Sequence, residues 1–343
     1  MKRIIVCVGF SVIVLSLLFS CTQTAKKASS YKPVIGLSLD SLVVERWRRD
    51  VDSFTRAAAD LDATVKLRVA NQDAETQIAQ IKGLIDSGVD VLVVIPNHAD
   101  LLTEVCRMVG RKRIPVISYD RLVNRANVNL YISFDNEEVG ALMATAALEA
   151  KPKGNYVIIN GAITDNNAFM INRGYHRVLD PKIASGDINL IKEIWPSDWI
   201  SDEVKSRFEA LIEEETNIDA VLCGNDMLAE TVIGVLSENR MLGKTIVLGQ
   251  DAELSACQRV AEGIQYATIY KPIEKLSLKA AALAVMMAKG EKLPATSTIN
   301  DGFYDVPYVK LEPILVTRES LESTVIKDGF HRRDDIFRNV RNP

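Results

Sequence analysis

From Val34 onward the chain alternates short β-branched runs with helical stretches. Val34-Ile35-Gly36-Leu37-Ser38-Leu39 is followed by a helical segment from Glu45 to Leu61, and Thr64 to Ala70 by one from Glu75 to Ser87. Val89 to Ile95, a helix near Asp100 to Val109, and Ile114 to Tyr119 continue the pattern. Such alternation predicts a parallel sheet with crossover helices on both faces. A second series runs through Asn155 to Asn160, Ile188 to Ile194, Ala220 to Cys223, Ile246 to Leu248 and Ala267 to Tyr270. Two such series, joined near Phe134 in a chain of 343 residues, predict an α/β protein of two Rossmann-like lobes.

An Ala- and Met-rich amphipathic helix spans Pro272 to Lys289, and Pro307 to Thr317 then reads as extended. The second series is already complete at that point, so the chain is expected to cross back to the first lobe. Several crossings make a hinge with a cleft between the lobes. The expected boundaries are 33–133 with about 272–300 for the N-terminal lobe, 134–271 with about 301–331 for the C-terminal lobe, and a tail at 332–343.

Lys2 and Arg3 precede an apolar run from Ile4 to Phe19, too short for a comfortable membrane span. This reads as an export signal over residues 1–20. Leu18-Phe19-Ser20-Cys21 resembles a bacterial lipobox, which makes Cys21 the expected lipidation site and places the protein in the periplasm or at the cell surface. A plain secretory signal cleaved nearby is the alternative, and either version exports the chain. Residues 21–32, polar and rich in Ser, Thr, Ala and Lys, are expected to tether membrane to folded domain.

The formal net charge of -4 and the scattered basic residues argue against nucleic acid as a partner. Cys7 leaves with the signal and Cys21 would carry lipid; Cys106, Cys223 and Cys257 remain, far apart, and are expected to be buried structural thiols. No CxxC or His-rich ligand spacing calls for a metal.

Asp40, Asn71, Asn97, Asp120, Asn160, Asn225 and Asp251 end predicted strands. In open parallel sheets ligands bind beyond the carboxyl ends of the strands. Asn and Asp also suit the turn after a strand and cap the next helix, and spacing alone does not separate the two readings. Asp120-Arg121 places a carboxylate and a guanidinium side by side, a pair that accepts from and donates to vicinal hydroxyls. Asp165-Asn166-Asn167, Asn225-Asp226, Gln250-Asp251 and Lys271 add amides, carboxylates and a cation. Trp47 and Trp199 lie just past strands, where an indole suits the apolar face of a pyranose, whereas Trp195 ends a strand pattern and is expected in the core.

Catalytic patterns are missing: no GxSxG elbow, P-loop or HExxH motif occurs, and His98, His176 and His331 are the only imidazoles. His98 could line the cleft or simply be solvated. Paired carboxylates for glycoside hydrolysis stay open on sequence, but the abundance of amides and cations argues for holding a sugar over cleaving it. No enzyme activity, cofactor or metal is expected.

Glu45-Arg46-Trp47, Gly88-Val89-Asp90-Val91-Leu92-Val93, Tyr119-Asp120-Arg121, Tyr131-Ile132-Ser133-Phe134-Asp135-Asn136-Glu137, Asp165-Asn166-Asn167-Ala168, Gly249-Gln250-Asp251-Ala252, Tyr270-Lys271-Pro272 and Thr324 to His331 carry a resemblance. With them the chain, from about Ile35 to about His331, resembles the bacterial periplasmic D-xylose-binding proteins, within the ribose/galactose-type group of transport receptors. The resemblance implies the type I periplasmic binding protein fold and a monomer that delivers a monosaccharide, D-xylose, to an ABC transporter permease. It places sugar contacts on Arg46, Asp120 and Arg121 in the first lobe, and on Asn167, Asn225, Asp251 and Lys271 in the second or at the hinge. Trp199 takes the place of an indole stacked on the ring, with Trp47 as the opposing face. A sensor presenting sugar to a membrane kinase or chemoreceptor is the rival reading. A repressor core shares the architecture, but the export signal stands where a DNA-binding segment would sit.

Overall fold

A computed structural model describes residues 31–340, apart from Glu45, Ile200, Thr216, Ala295 and Thr296. The expected signal, Cys21 and almost all of the expected tether lie outside the described residues. The first series forms β1 (Val34–Leu39), α1 (Arg46–Asp60), β2 (Thr64–Val69), α2 (Ala74–Asp86), β3 (Val91–Ile95), α3 (Thr103–Arg111), β4 (Val116–Tyr119) and β5 (Leu130–Phe134). The second forms α4 (Asn136–Ala150), β6 (Gly154–Ile159), α5 (Asn166–Ala184), β7 (Ile188–Ile194), α6 (Ser201–Glu214), β8 (Ala220–Cys223), α7 (Asp226–Glu238), β9 (Ile246–Leu248), α8 (Leu254–Glu262) and β10 (Thr268–Tyr270). α9 (Ile273–Ala288), β11 (Ser297–Asn300), β12 (Asp305–Leu311) and β13 (Ile314–Val316) follow.

The first sheet has the order β11-β12-β5-β4-β3-β1-β2, parallel except for the antiparallel β11–β12 edge. The second has the order β7-β6-β8-β9, all parallel, and β10 and β13 pair antiparallel beside it. β1 and β3 are apolar on both faces because helices cover both. One face of the first sheet packs against α1 and α9, the other against α2 and α3. The second sheet is likewise sandwiched, by α4 and α5 on one side and by α6 and α7 on the other. Cys106 and Cys223 are buried within these cores, and Cys257 is buried in a further cluster with Tyr270 and Val325, as the sequence led one to expect. No helix among the described residues is long and apolar enough to cross a membrane.

One expected boundary is corrected. Residues 305–311 were expected with the C-terminal lobe, but β12 pairs parallel with β5 in the first sheet, in register Tyr308 to Tyr131 and Leu311 to Phe134. The cause is side-chain packing at that edge: Tyr308 stacks on Tyr131 at 4.7 Å between ring centroids, and its hydroxyl donates to the Phe134 carbonyl at 2.8 Å. The chain therefore passes between the sheets three times: from β5 into α4, from β10 into α9, and between Leu311 and Ile314.

α4 and α5 approach backbone to backbone. A Cβ on Gly174 would stand 2.0 Å from the Glu137 carbonyl oxygen, a contact with backbone that no rotamer change relieves. Alanine would gain up to about 1 kcal/mol of helix propensity at this interior position, but overpacking of about 1–3 kcal/mol opposes it. Gly174→Ala is therefore expected to lower the urea midpoint, and a raised midpoint would show that the helices part without cost.

Asp226, at the start of α7, is buried and ties the second sheet's strand ends together. Its carboxylate accepts from Gln265 Nε2 at 2.8 Å, from Thr268 Oγ1 and from the Glu253 amide at 3.1 Å. Burial pushes its pKa up to about 7, against the hydrogen bonds from Gln265 and Thr268. The native state thus retains a proton that the unfolded chain releases near pH 4, so this group's contribution to stability falls as pH rises from about 4 through 7. Asp226→Asn keeps the neutral form at every pH. Denaturation of both proteins at several pH values is expected to show wild type losing ground to the variant by a few kcal/mol, on the order set by that shift; parallel curves would disprove the assignment.

Candidate functional site

The strand ends of both sheets meet at one small cavity. Val44, Arg46, Trp47, Asp120, Arg121, Asn136, Asp165, Asn167, Trp199, Asn225, Gln250, Asp251 and Lys271 line it. All nine residues singled out from the sequence are in this set. Arg46 and Trp47 open α1, Asp120 and Arg121 follow β4, and Asn167 lies in the first turn of α5. Trp199 precedes α6, Asn225 caps α7, Asp251 follows β9 and Lys271 follows β10. Apart from the half-buried Trp199, the nine are only 2–7% exposed, so every charge among them is withdrawn from water and needs a partner.

The partners are one another. Arg46 Nη2 donates to Asp120 Oδ2 at 2.8 Å, its Nε to Asp50 Oδ2 at 3.2 Å, and its Nη1 lies 3.7 Å from Asp251 Oδ1. Lys271 Nζ lies 2.8 Å from the same Asp251 oxygen. Arg121 Nε is 2.8 Å from Asp165 Oδ2, and its Nη1 donates to Asp40 Oδ2 at 3.0 Å and to the Pro96 carbonyl at 3.2 Å. Both guanidinium groups face the Trp47 ring, at 4.5 Å for Arg46 and 5.3 Å for Arg121. Trp47 Nε1 and Gln250 Oε1 are buried with no hydrogen-bond partner, and both belong to cavity-lining side chains. An orphaned donor and an orphaned acceptor in one cavity are what a ligand with hydroxyl groups satisfies.

Burial opposes the charge on Arg46, but Asp120, Asp50 and Asp251 outweigh it and hold the guanidinium well above its ordinary pKa. Arg121 is likewise raised, burial being overcome by Asp165, Asp40 and Asp120. For Asp251, burial is overcome by Lys271 and Arg46, and its pKa falls below the ordinary carboxylate value. Asp165 goes the other way: burial raises its pKa even though Arg121 opposes it. Burial also lifts Asp50 to about 6 against Arg46, with Tyr119 donating its hydroxyl to Asp50.

Asp120 has φ 62° and Asp251 φ 98°, conformations that L residues rarely adopt. Each is held by its surroundings. The Asp120 carbonyl accepts from Tyr131 Oη at 2.9 Å, Ser133 Oγ at 2.8 Å and Asn167 Nδ2 at 3.1 Å. The Asp251 amide donates to the Ile269 carbonyl at 2.8 Å, and the next carbonyl, that of Ala252, lies 2.8 Å from His331 Nε2. The C-terminal segment thus buttresses a cavity residue from behind.

Asp165, Asn136 and Gln250 line the cavity without having been chosen as site residues. Asp165 is the most connected: it accepts from Trp199 Nε1 at 3.1 Å and from the Asn167 amide at 2.9 Å besides pairing with Arg121. Its signal was the cap position two residues before Asn167. Asn225 serves as both cap and lining residue, its Oδ1 accepting from the Leu228 amide at 2.8 Å. Asp40 and Asn97 line a neighbouring cavity, whereas Asn71 occupies a turn at φ 53° and Asn160 bonds Glu193 at 3.2 Å. One expectation fails. Trp195 is not in the core: it stacks on the exposed Phe169 at 4.9 Å, because the chain leaves β7 at Ile194. His98 accepts from the Asp100 amide at 3.1 Å and lines neither this cavity nor its neighbour.

The family model of the periplasmic binding protein domain matches residues 35–292. The chain is 41% identical to the D-xylose-binding periplasmic protein of Haemophilus influenzae over 324 residues, covering 94% of this chain and 98% of that one. It is 40% identical to the D-xylose-binding periplasmic protein of Escherichia coli over 325 residues, again covering 94% and 98%. An ABC transporter solute-binding protein from Clostridium phytofermentans, solved with β-D-glucose, superposes with a TM-score of 0.81 at 26% identity, covering 88% of this chain and 99% of the other. The two α/β lobes and their parallel sheets are those of the type I periplasmic binding protein fold. On the strength of the match across most of its length, the chain belongs to the periplasmic binding protein family, whose members bind ligands and are not enzymes.

Proposed function

We propose that the chain captures a monosaccharide, D-xylose, in the cavity between its lobes and hands it to an ABC transporter permease. The observation that carries this reading is the convergence of nine separately placed polar and indole side chains on one cavity. Charge in the lining is balanced: Arg46, Arg121 and Lys271 stand against Asp120, Asp165 and Asp251. A balanced set suits a neutral ligand whose hydroxyls each donate to a carboxylate and accept from a cation or amide. A phosphate or carboxylate ligand would call for an excess of cations. The relatives at 40–41% identity are named for D-xylose, and the Clostridium protein for ABC transport of a sugar. A periplasmic fructose-binding domain of a hybrid two-component system shares the fold at a TM-score of 0.77 and 22% identity, so the fold by itself serves sensing too. The relatives of higher identity favour capture.

As it stands, the cavity measures about 30 Å³, room for roughly one water and less than a sugar ring needs. Entry therefore requires the lobes to part about the three crossings, and closure follows because only the closed state contacts the sugar from both sides. Contacts across the lobes are already built: Arg121 to Asp165, Asn167 to Asp120, and the Ala99 amide to the Thr164 carbonyl at 3.0 Å. Export by the segment 1–20, lipidation at Cys21, the tether to residue 32 and a monomeric state complete the proposal.

Asp251→Ala leaves Lys271 and Arg46 without a shared carboxylate. Calorimetry is expected to show D-xylose affinity reduced about a hundredfold or more, the order of effect of leaving buried charges unpaired. Unchanged affinity would remove Asp251 from the site. Sugar recovered from the complex should be chemically unaltered. For the anchor, Cys21→Ser is expected to move the protein from the membrane to the soluble fraction of the cell envelope; equal membrane association would refute lipidation at that cysteine.

A further inference from the structure

A second cavity adjoins the first. It measures about 360 Å³, within the roughly 300–1,000 Å³ range of small-molecule sites. Val44, Arg121 and Trp199 line both cavities, at the place where the two adjoin. The outer space is otherwise bounded by groups that include Asp40, Gln72, Asn97, Thr164 and Ser197.

Two features make this more than an open cleft mouth. The first is a buried polar frame: Asp40, 6% exposed, accepts from Asn97 Nδ2 at 2.8 Å through one oxygen and from Arg121 Nη1 at 3.0 Å through the other. Arg121 thus joins the outer frame to Asp165 in the inner one. The second is a fixed aromatic wall. A Cβ on Gly161 would lie 2.0 Å from the Trp199 ring, so the indole rests directly on backbone there, and its Nε1 is anchored on Asp165. A rigid indole between two polar cavities offers a stacking surface at the point where two linked sugar rings would join. Among the described residues Arg121 is the one cation of the outer lining, and it is already engaged by Asp40 and Asp165, so the space suits a neutral hydroxylated group over an anion.

We propose that the outer cavity is a second sugar subsite, and that the chain takes up a short oligosaccharide with one ring in each cavity. This rests on the reading of the inner cavity as a sugar site. The test is titration of the purified chain with D-xylose and with β-1,4-xylobiose, in wild type and in Val43→Trp. Val43 borders the outer cavity and is 56% exposed, so a larger side chain there fills that space from a surface loop. Wild type is expected to bind the disaccharide within about tenfold of D-xylose. Val43→Trp is expected to weaken the disaccharide by about tenfold or more, equivalent to about 1.4 kcal/mol, while moving D-xylose less than about threefold. Gln72→Gly, which removes an outer amide at a backbone already at φ 69°, is expected to act in the same direction more weakly. D-xylose binding without disaccharide binding, or an equal loss of both ligands in Val43→Trp, would overturn the outer subsite alone. Failure of every pentose and hexose to bind would overturn the inner site with it.

Discussion

A charge buried between two lobes must be paired, and the pairing of Arg46 is the arrangement on which the rest turns. Its guanidinium lies within reach of Asp50 on its own helix, Asp120 at the end of β4 and Asp251 at the end of β9. Loss of one partner from such a set costs about 3–5 kcal/mol, since the remaining charge stays buried. The start of α1 and the strand ends of both sheets are therefore held to one arrangement. The same requirement explains Asp50, which contributes nothing to the cavity lining. It sits one helical turn from Arg46 and accepts from the guanidinium Nε, while Asp120 accepts from Nη2. Tyr119 completes it from behind.

Sugar binding then becomes an exchange of partners. Hydroxyl groups entering the cavity replace ion pairs that already exist, so net affinity is the difference between two sets of good contacts. This places the energetic burden on atoms that are unsatisfied beforehand. Trp47 Nε1 and Gln250 Oε1 are such atoms, and a hydroxyl that meets them adds contacts without removing any. The strained backbone at Asp120 and Asp251 fits the same logic. Both carboxylates leave their strands through left-handed conformations, and the hydrogen bonds that hold those conformations come from neighbouring elements such as β5, β10 and the C-terminal segment. The site is rigid because the framework around it fixes it.

Much of this was legible in the residues, for reasons that can be named. Alternation of apolar runs with amphipathic stretches located nearly every strand and helix of the two lobes, and the rule that ligands lie beyond strand ends drew attention to Asp120, Asn225 and Asp251. β5 escaped that reading because only a loop separates it from β4, which leaves alternation no slot for it. β12 was assigned to the wrong lobe for a related reason. Its partner is β5, and the Tyr308–Tyr131 stack that recruits it joins residues 177 positions apart, beyond the reach of any local pattern. Arg46 entered through family resemblance alone, although its spacing of four from Asp50 marks a pair on one helix face. Asp165 stood in the sequence among the strand-end groups that suit hydroxyls, but its ties to Arg121 and Trp199 join residues far apart in the chain and no local pattern shows them.

The crossings tie this site to motion. Lys271 lies within the passage from β10 into α9, so a cavity cation is also a hinge residue, and its Nζ stands 2.8 Å from Asp251 Oδ1. The other two passages are bonded to each other: the Asp135 amide donates to the Leu311 carbonyl at 2.9 Å, and Lys310 Nζ lies 2.6 Å from Asp135 Oδ2. Passages tied together in this way move as one, and opening and closing of the lobes about them is a hinge motion. A ligand that contacts the paired Lys271 and Asp251 therefore acts on the hinge directly, through the residues it touches, and needs no relay through the cores of the lobes.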